Sequence, residues 1–141
     1  TLYGDMCGAF NPLKDIYKTK VFALSALRNE WKPDFARGPS GSVIPEQIIT
    51  KAPTAELREN QKDEDSLPPY HMLDQILEGF IEHEKSQNAM IEEGFDAETI
   101  DKVYKLLHRS EYKRRQSCPG VNITTRSFGG RARRYPLVNR Y

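Results

Sequence analysis

Two clusters of side chains carry the chemistry this chain can offer. Asp63, Glu64 and Asp65 stand side by side in the polar stretch at 51–65, KAPTAELRENQKDED, a composition that no packing requirement would produce. Clustered carboxylate oxygens suit magnesium, and a solvated acidic turn accounts for the same residues equally well. Near the other end, Glu111 and Tyr112 precede three successive cations, Lys113, Arg114 and Arg115, which can meet phosphates or acids. No complete catalytic constellation accompanies them. His71 and His83 flank one predicted helix, twelve residues apart and too far to share a metal, and with His108 they read as surface or half-buried structural histidines. Cys7 and Cys118 lack metal-ligand spacing and form no disulfide framework, and Cys7 reads as a small packed residue beside Gly8.

These groups sit on a chain of 141 residues, 38% hydrophobic and 29% charged, with mean hydropathy −0.70, which suits one small soluble domain. The longest apolar run is only a few residues, so neither a membrane span nor a signal peptide is expected, and the sparse cysteines fit a reducing cytoplasm. A net charge of +1 conceals an asymmetry. From Arg109 onward nine Lys or Arg face one acid, Glu111, a net of +8 that leaves −7 for the preceding residues. Such an end can bind nucleic acid, neutralise nucleotide phosphates, or cover acids of its own fold. Aromatic and basic residues are not interleaved on any regular repeat, which argues against nucleic acid.

Periodicity supplies the elements that position these groups. Residues 1–5 read as the end of a strand entering a Gly-containing turn. Thr19 can cap a helix bearing Val21, Leu24 and Leu27, ended near Trp31 by Pro33. Residues 33–43 are a loop by composition, and Pro45 suits the first turn of a short helix through Ile49. After Pro68 and Pro69, the stripe Met72, Leu73, Ile76, Leu77, Phe80 and Ile81 predicts the clearest helix. A short helix over 87–93 stops at Gly94, and Asp96 caps another with an inner face of Ile100, Val103, Tyr104 and Leu107, continuing through Tyr112 until Pro119 stops it. Residues 121–141 read as irregular, with Gly129 and Gly130 as a hinge and room for one short strand.

The stretch at 51–65, taken with YGDMCGAFNPLKD at 3–15 and EYKRRQ at 111–116, resembles the NAD synthetases, in the same order as in that family and over nearly the whole chain. The resemblance is to the C-terminal part of the glutamine-dependent branch. It implies a mainly α fragment with little strand, cut from an α/β parent of the adenine nucleotide alpha hydrolase-like class, a Rossmann-like parallel sheet flanked by helices. It also implies the reaction: ATP adenylates the nicotinate carboxylate of nicotinic acid adenine dinucleotide (deamido-NAD), and ammonia from glutamine displaces AMP to give NAD. A carboxylate becomes electrophilic only when it gains such a leaving group, so cations must steady the phosphate charge.

By the same resemblance Lys18, which follows NPLKDIY, and Thr54 in the 51–65 loop bind ATP, that loop closing over the adenylate to exclude water. Lys113, with Tyr112 beside it, contacts deamido-NAD. Asp5, Asp63 and Glu64 are possible loop or turn contributors. Ammonia-using members carry a lysine and an aspartate at the positions of Leu2 and Ala9, a departure that favours the glutamine-dependent branch. Arg114 and Arg115 are expected to pair with acids or face a partner subunit.

Residues 1–141 are then the C-terminal portion of the ligase domain, with 117–141 an irregular basic tail. The pyrophosphate loop, the main magnesium ligand and the glutaminase domain are expected upstream, so the fragment holds no catalytic residue of its own and is inactive alone. Its partners are deamido-NAD, ATP, glutamine-derived ammonia, the remainder of the enzyme and further copies of it. No membrane is implied. Two alternatives stand beside this reading: another ATP-pyrophosphatase amidotransferase, GMP synthetase-like, and a non-enzymatic helical module with a basic tail.

Overall fold

The computed structural model describes residues 8–51, 67–127 and 135–136. The chain gathers into two compact units, one made of Thr1–Ile16 with His71–Tyr141 and the other of Tyr17–Tyr70.

In the Tyr17–Tyr70 unit, the apolar spacing produces helix α1 (Lys18–Glu30). Thr19 does not cap it. Tyr17 holds the cap position in extended backbone, without a side-chain bond, and its carbonyl already receives the Val21 N–H at 3.0 Å, so the helix starts two residues earlier than the threonine would have set it. At the other end the Trp31 N–H closes on the Leu27 carbonyl at 2.8 Å, and Pro33 keeps the residue before it out of helical backbone. No residue of α1 is buried; Leu24 and Leu27 remain 47% and 46% exposed. The loop that follows is shaped by polar bonds. Asn29 accepts the Val43 and Ile44 N–H groups at 2.9 Å each and donates to the Ile44 carbonyl at 2.8 Å, while Arg28 donates to the Pro39 carbonyl at 2.6 Å. Pro45 then precedes the single turn and a half of α2 (Glu46–Thr50).

The other unit has the hydrophobic core. Helix α3 (Tyr70–Ile81) buries Leu73, Ile76, Phe80 and Ile81 of the stripe predicted for it, while Met72 and Leu77 are half-buried. Helix α4 (Gln87–Glu92) contributes Met90, capped at its start by Ser86, whose hydroxyl accepts the Ala89 N–H. Gly94, at φ +101°, reverses the chain after it, a backbone that favours glycine. Helix α5 (Ala97–Arg109) buries Ile100, Val103 and Leu107, and Tyr104 meets Phe80 edge to face at 5.4 Å. Each such aliphatic side chain withdrawn from water contributes roughly 1.5–3 kcal/mol. Asp96 caps α5 as expected. Its carboxylate accepts the Thr99 N–H at 2.8 Å and hydroxyl at 2.9 Å, bonds that hold its pKa below the ordinary value.

Helix α5 does not run on through Tyr112. It ends at Ser110, where the hydroxyl donates to the Leu107 carbonyl at 3.1 Å, and α6 (Glu111–Gln116) starts afresh. A serine side chain that competes for backbone carbonyls in this way loosens the helical ladder. Among the described residues strand structure is limited to one isolated parallel bridge, between Asn11 and Gly120. The mainly helical character read from the sequence is therefore what the fold shows, while residues 121–127 form no strand. The expected strand at 1–5 and the hinge at Gly129 and Gly130 lie outside the described residues.

Candidate functional site

Helix α6 has six residues, too few to persist by its own hydrogen bonds, so neighbours must fix it. Glu111 and Arg114, three residues apart and so on one face, do this. Glu111 Oε2 accepts from Arg114 Nη2 at 2.6 Å and from Nε at 3.1 Å. The guanidinium also donates to the Ser110 hydroxyl at 3.1 Å and to the Leu107 carbonyl at 2.5 Å, the same carbonyl that accepts from that hydroxyl. Both side chains are almost fully buried. Tyr112 and Lys113 occupy the remaining arc of the helix, half-buried, with the Lys113 backbone bonded to Ser110 before it and Ser117 after it.

The segment leaving α6 is tied to the turn at 11–15. The Asn11 N–H reaches the Pro119 carbonyl at 2.9 Å, Lys14 Nζ reaches the Cys118 carbonyl at 2.9 Å, and Asp15, only 2% exposed, accepts from Ile123 and Thr124. Sequence reasoning passed over Asp15 because an acid in a turn reads as solvated, and no periodicity marks its burial.

Lys18 stands exposed as the first residue of α1, whose first turn contains Lys18, Thr19 and Lys20 and no acid. A helix N-terminus with adjacent ammonium groups favours phosphate oxygens. Lys20 also lies over the Tyr17 ring at 5.7 Å. Tyr112 and Lys113 are thus neighbours on one helix, and Lys18 belongs to the other unit. Thr54, Asp5, Asp63 and Glu64 lie outside the described residues. Among the described residues no group of three His, Cys, Asp or Glu is gathered for a metal, and no helix is long and apolar enough to cross a membrane.

The basic end is partly neutralised within the fold. Arg114 and Arg115 both pair with Glu111, as expected of them, and Arg126 pairs with Glu84. His71 and His83 are exposed; His108 is buried, its Nδ1 2.8 Å from the Tyr104 carbonyl and its ring against Tyr104 and Tyr135. Its burial, in the last turn of α5, departs from the surface or half-buried position expected for it.

A cation-bearing helix fixed by a buried ion pair, and a second helix opening on lysines, are each arrangements that can meet phosphates. The family model described as NAD synthase matches residues 1–117. The glutamine-dependent NAD(+) synthetase of Rhodobacter capsulatus is 51% identical over 141 residues, covering all of this chain and 25% of that protein. That of Acinetobacter baylyi is 52% identical over 139 residues, 99% of this chain and 24% of the relative. Among solved structures, the glutamine-dependent NAD+ synthetase from Acinetobacter baumannii in complex with adenosine diphosphate is 45% identical, with a TM-score of 0.51, covering 99% of this chain and 22% of that one. The chain belongs to the NAD synthase family. Its helices are therefore part of an α/β, adenine nucleotide alpha hydrolase-like fold. It spans about a quarter of the length of the curated relatives it matches.

Proposed function

We propose that this chain forms the C-terminal portion of the ligase domain of a glutamine-dependent NAD synthetase, an enzyme that amidates deamido-NAD with ATP and ammonia drawn from glutamine. The observation that carries the reading is identity of 51% over every residue of the chain with an enzyme of that name. In this reading Lys18 holds ATP phosphates with Thr54, and Lys113, assisted by Tyr112, holds deamido-NAD. Asp5, Asp63 and Glu64 are contributors from loops, and 117–141 is a basic tail.

Two cations on different helices suit a reaction with two anionic substrates. Their positive charge stabilises the phosphate charge that builds as the carboxylate is adenylated, and the side chains that fix α6 make its lysine a preorganised donor. Magnesium, with ligands outside the described residues, would share that charge. Ammonia then attacks the activated acyl carbon, AMP leaves with the bonding pair, and the amide remains. The reading includes a cytoplasmic, homo-oligomeric enzyme whose other domains supply the pyrophosphate loop and the glutaminase.

The test is incubation of the intact polypeptide with ATP, magnesium, glutamine and deamido-NAD, following NAD and AMP by chromatography. Equimolar NAD and AMP are expected. Glutamine and ATP consumed without NAD would leave a nucleotide-dependent amidotransferase with a different acceptor.

A further inference from the structure

We infer that Asp15 is a positioning residue for Lys113: its buried carboxylate anchors the segment that leaves α6 and so fixes where the lysine of that helix stands. A single oxygen, Oδ2, accepts the Ile123 N–H at 2.7 Å, the Thr124 N–H at 2.8 Å and the Thr124 hydroxyl at 2.9 Å. Three donors converging on one point call for an acceptor-only group, and an ionised carboxylate forms the stronger bonds. An asparagine at 15 would offer a weaker oxygen and bring two N–H donors of its own into a site already lined with donors.

The anchor matters because α6 is fixed differently at its two ends. Glu111 and Arg114 lock its start to the end of α5. After Ser117 the backbone is held through the strap at 118–126. Lys14 and Asn11 bind its near end, at Cys118 and Pro119. Thr125 and Arg126 bind its far end to Glu82 and Glu84, beyond α3 and on exposed side chains. Asp15 holds the middle, at 2% exposure, where water cannot replace it. Releasing it leaves a span of the strap supported only at its ends, and the last turn of a six-residue helix has little rigidity to resist the slack. Misplacing a contact group by about 1 Å can cost as much as 10²-fold, and for a lysine that binds the substrate without taking part in the chemistry that cost falls on KM. Nothing in the sequence pattern marks Asp15 for this task, and it touches no substrate in the role assigned.

The proposal rests on reading Lys113 as the dinucleotide contact. Its test uses the intact polypeptide and two variants, Asp15→Asn and Thr124→Val, the second removing one of the three bonds from the strap side without touching the turn before Lys18. Both are expected to raise the KM for deamido-NAD about tenfold, with kcat and the KM for ATP within about twofold, and to speed amide hydrogen exchange from 113 to 124. A uniform loss of activity in proportion to lost folded protein, or faster exchange with kinetics unchanged, would make the anchor purely structural and overturn the proposal. Should the wild-type polypeptide form no NAD, the functional reading fails separately. The anchor is then judged by exchange alone: unchanged protection at 113–117 in both variants overturns it.

Discussion

Glu111 and Arg114 meet at 2.6 Å with only 4% and 8% of their side chains exposed, on the helix that carries Lys113. Arg114 spans three acceptors at once, the Glu111 carboxylate, the Ser110 hydroxyl and the Leu107 carbonyl, which a planar fork of donors can do and a single ammonium cannot. Glu111 also accepts from Arg115 at 3.2 Å. The pair therefore joins α6 to α5 at the point where the serine interrupts the helix.

Removing Arg114 leaves the buried Glu111 carboxylate with only the half-exposed Arg115 as partner, a loss of about 3 kcal/mol, the lower end of the range for a broken buried pair. Arg114→Ala should lose that amount and Arg114→Lys should recover little of it. A double change, Glu111→Leu with Arg114→Leu, should recover most, because no charge is then left buried. Hydrogen exchange of the α6 amides in the intact polypeptide measures each case. A loss under about 1 kcal/mol for Arg114→Ala, the range of an exposed pair, would contradict this account.

Two glycines separate a soft neighbour from a hard one. A Cβ at Gly79 would meet Met90 Sδ at 2.6 Å, the end of a flexible side chain, whereas a Cβ at Gly120 would run into the Asn11 carbonyl oxygen, which is backbone. A thioether can change rotamer; the bridge between Asn11 and Gly120 can only open. Overpacking costs typically about 1–3 kcal/mol. Gly120→Ala should fall at the upper end and Gly79→Ala at the lower, read as the drop in thermal midpoint. The reverse order would mean that the core around Met90 is the less yielding of the two sites.

Much of this was legible in the sequence. The stripe from Met72 to Ile81, the Asp96 cap and the glycine at 94 each follow from one local rule, and each is found in place. The helical break at Ser110 was not, because a serine inside a periodic pattern gives no sign that its hydroxyl will take a backbone carbonyl. Thr19 misled for a related reason: cap preference is a matter of about 1 kcal/mol, and the extended backbone at Tyr17 decided the start instead. For the site, Lys18 and Lys113 came from family resemblance, which selects residues by motif. An acidic partner for Arg114 was expected, but that it is Glu111 in a buried pair depends on a break in the helix, and the burial of Asp15 depends on partners at 123–124, which no local pattern shows.

Asp96 gives a pH dependence with a definite sign. Bonds from the Thr99 backbone and hydroxyl favour its ionised form, so its folded pKa lies below the unfolded one. The stabilisation it provides is complete above the unfolded value, about 3.9, and is lost as pH falls through the lowered folded value. Asp96→Asn keeps a capping oxygen without the titration. Melting curves of the two proteins should therefore run a constant distance apart above about pH 5 and converge below about 4. Separation that instead grew as the solution was acidified would show that the carboxyl is not held ionised by this cap.

Lys18 and Lys113 should be separable by kinetics, because they lie on different helices and are assigned to different substrates. A charge-assisted hydrogen bond contributes about 1.5–3 kcal/mol, so deleting either side chain should cost roughly 10- to 150-fold in kcat/KM. Lys18→Ala should raise the KM for ATP and leave that for deamido-NAD near its starting value; Lys113→Ala should do the opposite. Lys113→Arg is the informative control: the charge survives, but the fork is larger and α6 is fixed on both sides of it by Glu111 and Arg114, so affinity should return only in part. If both alanine variants raised both KM values equally, the two lysines would act on one shared phosphate group, and the division between the helices would have to be abandoned.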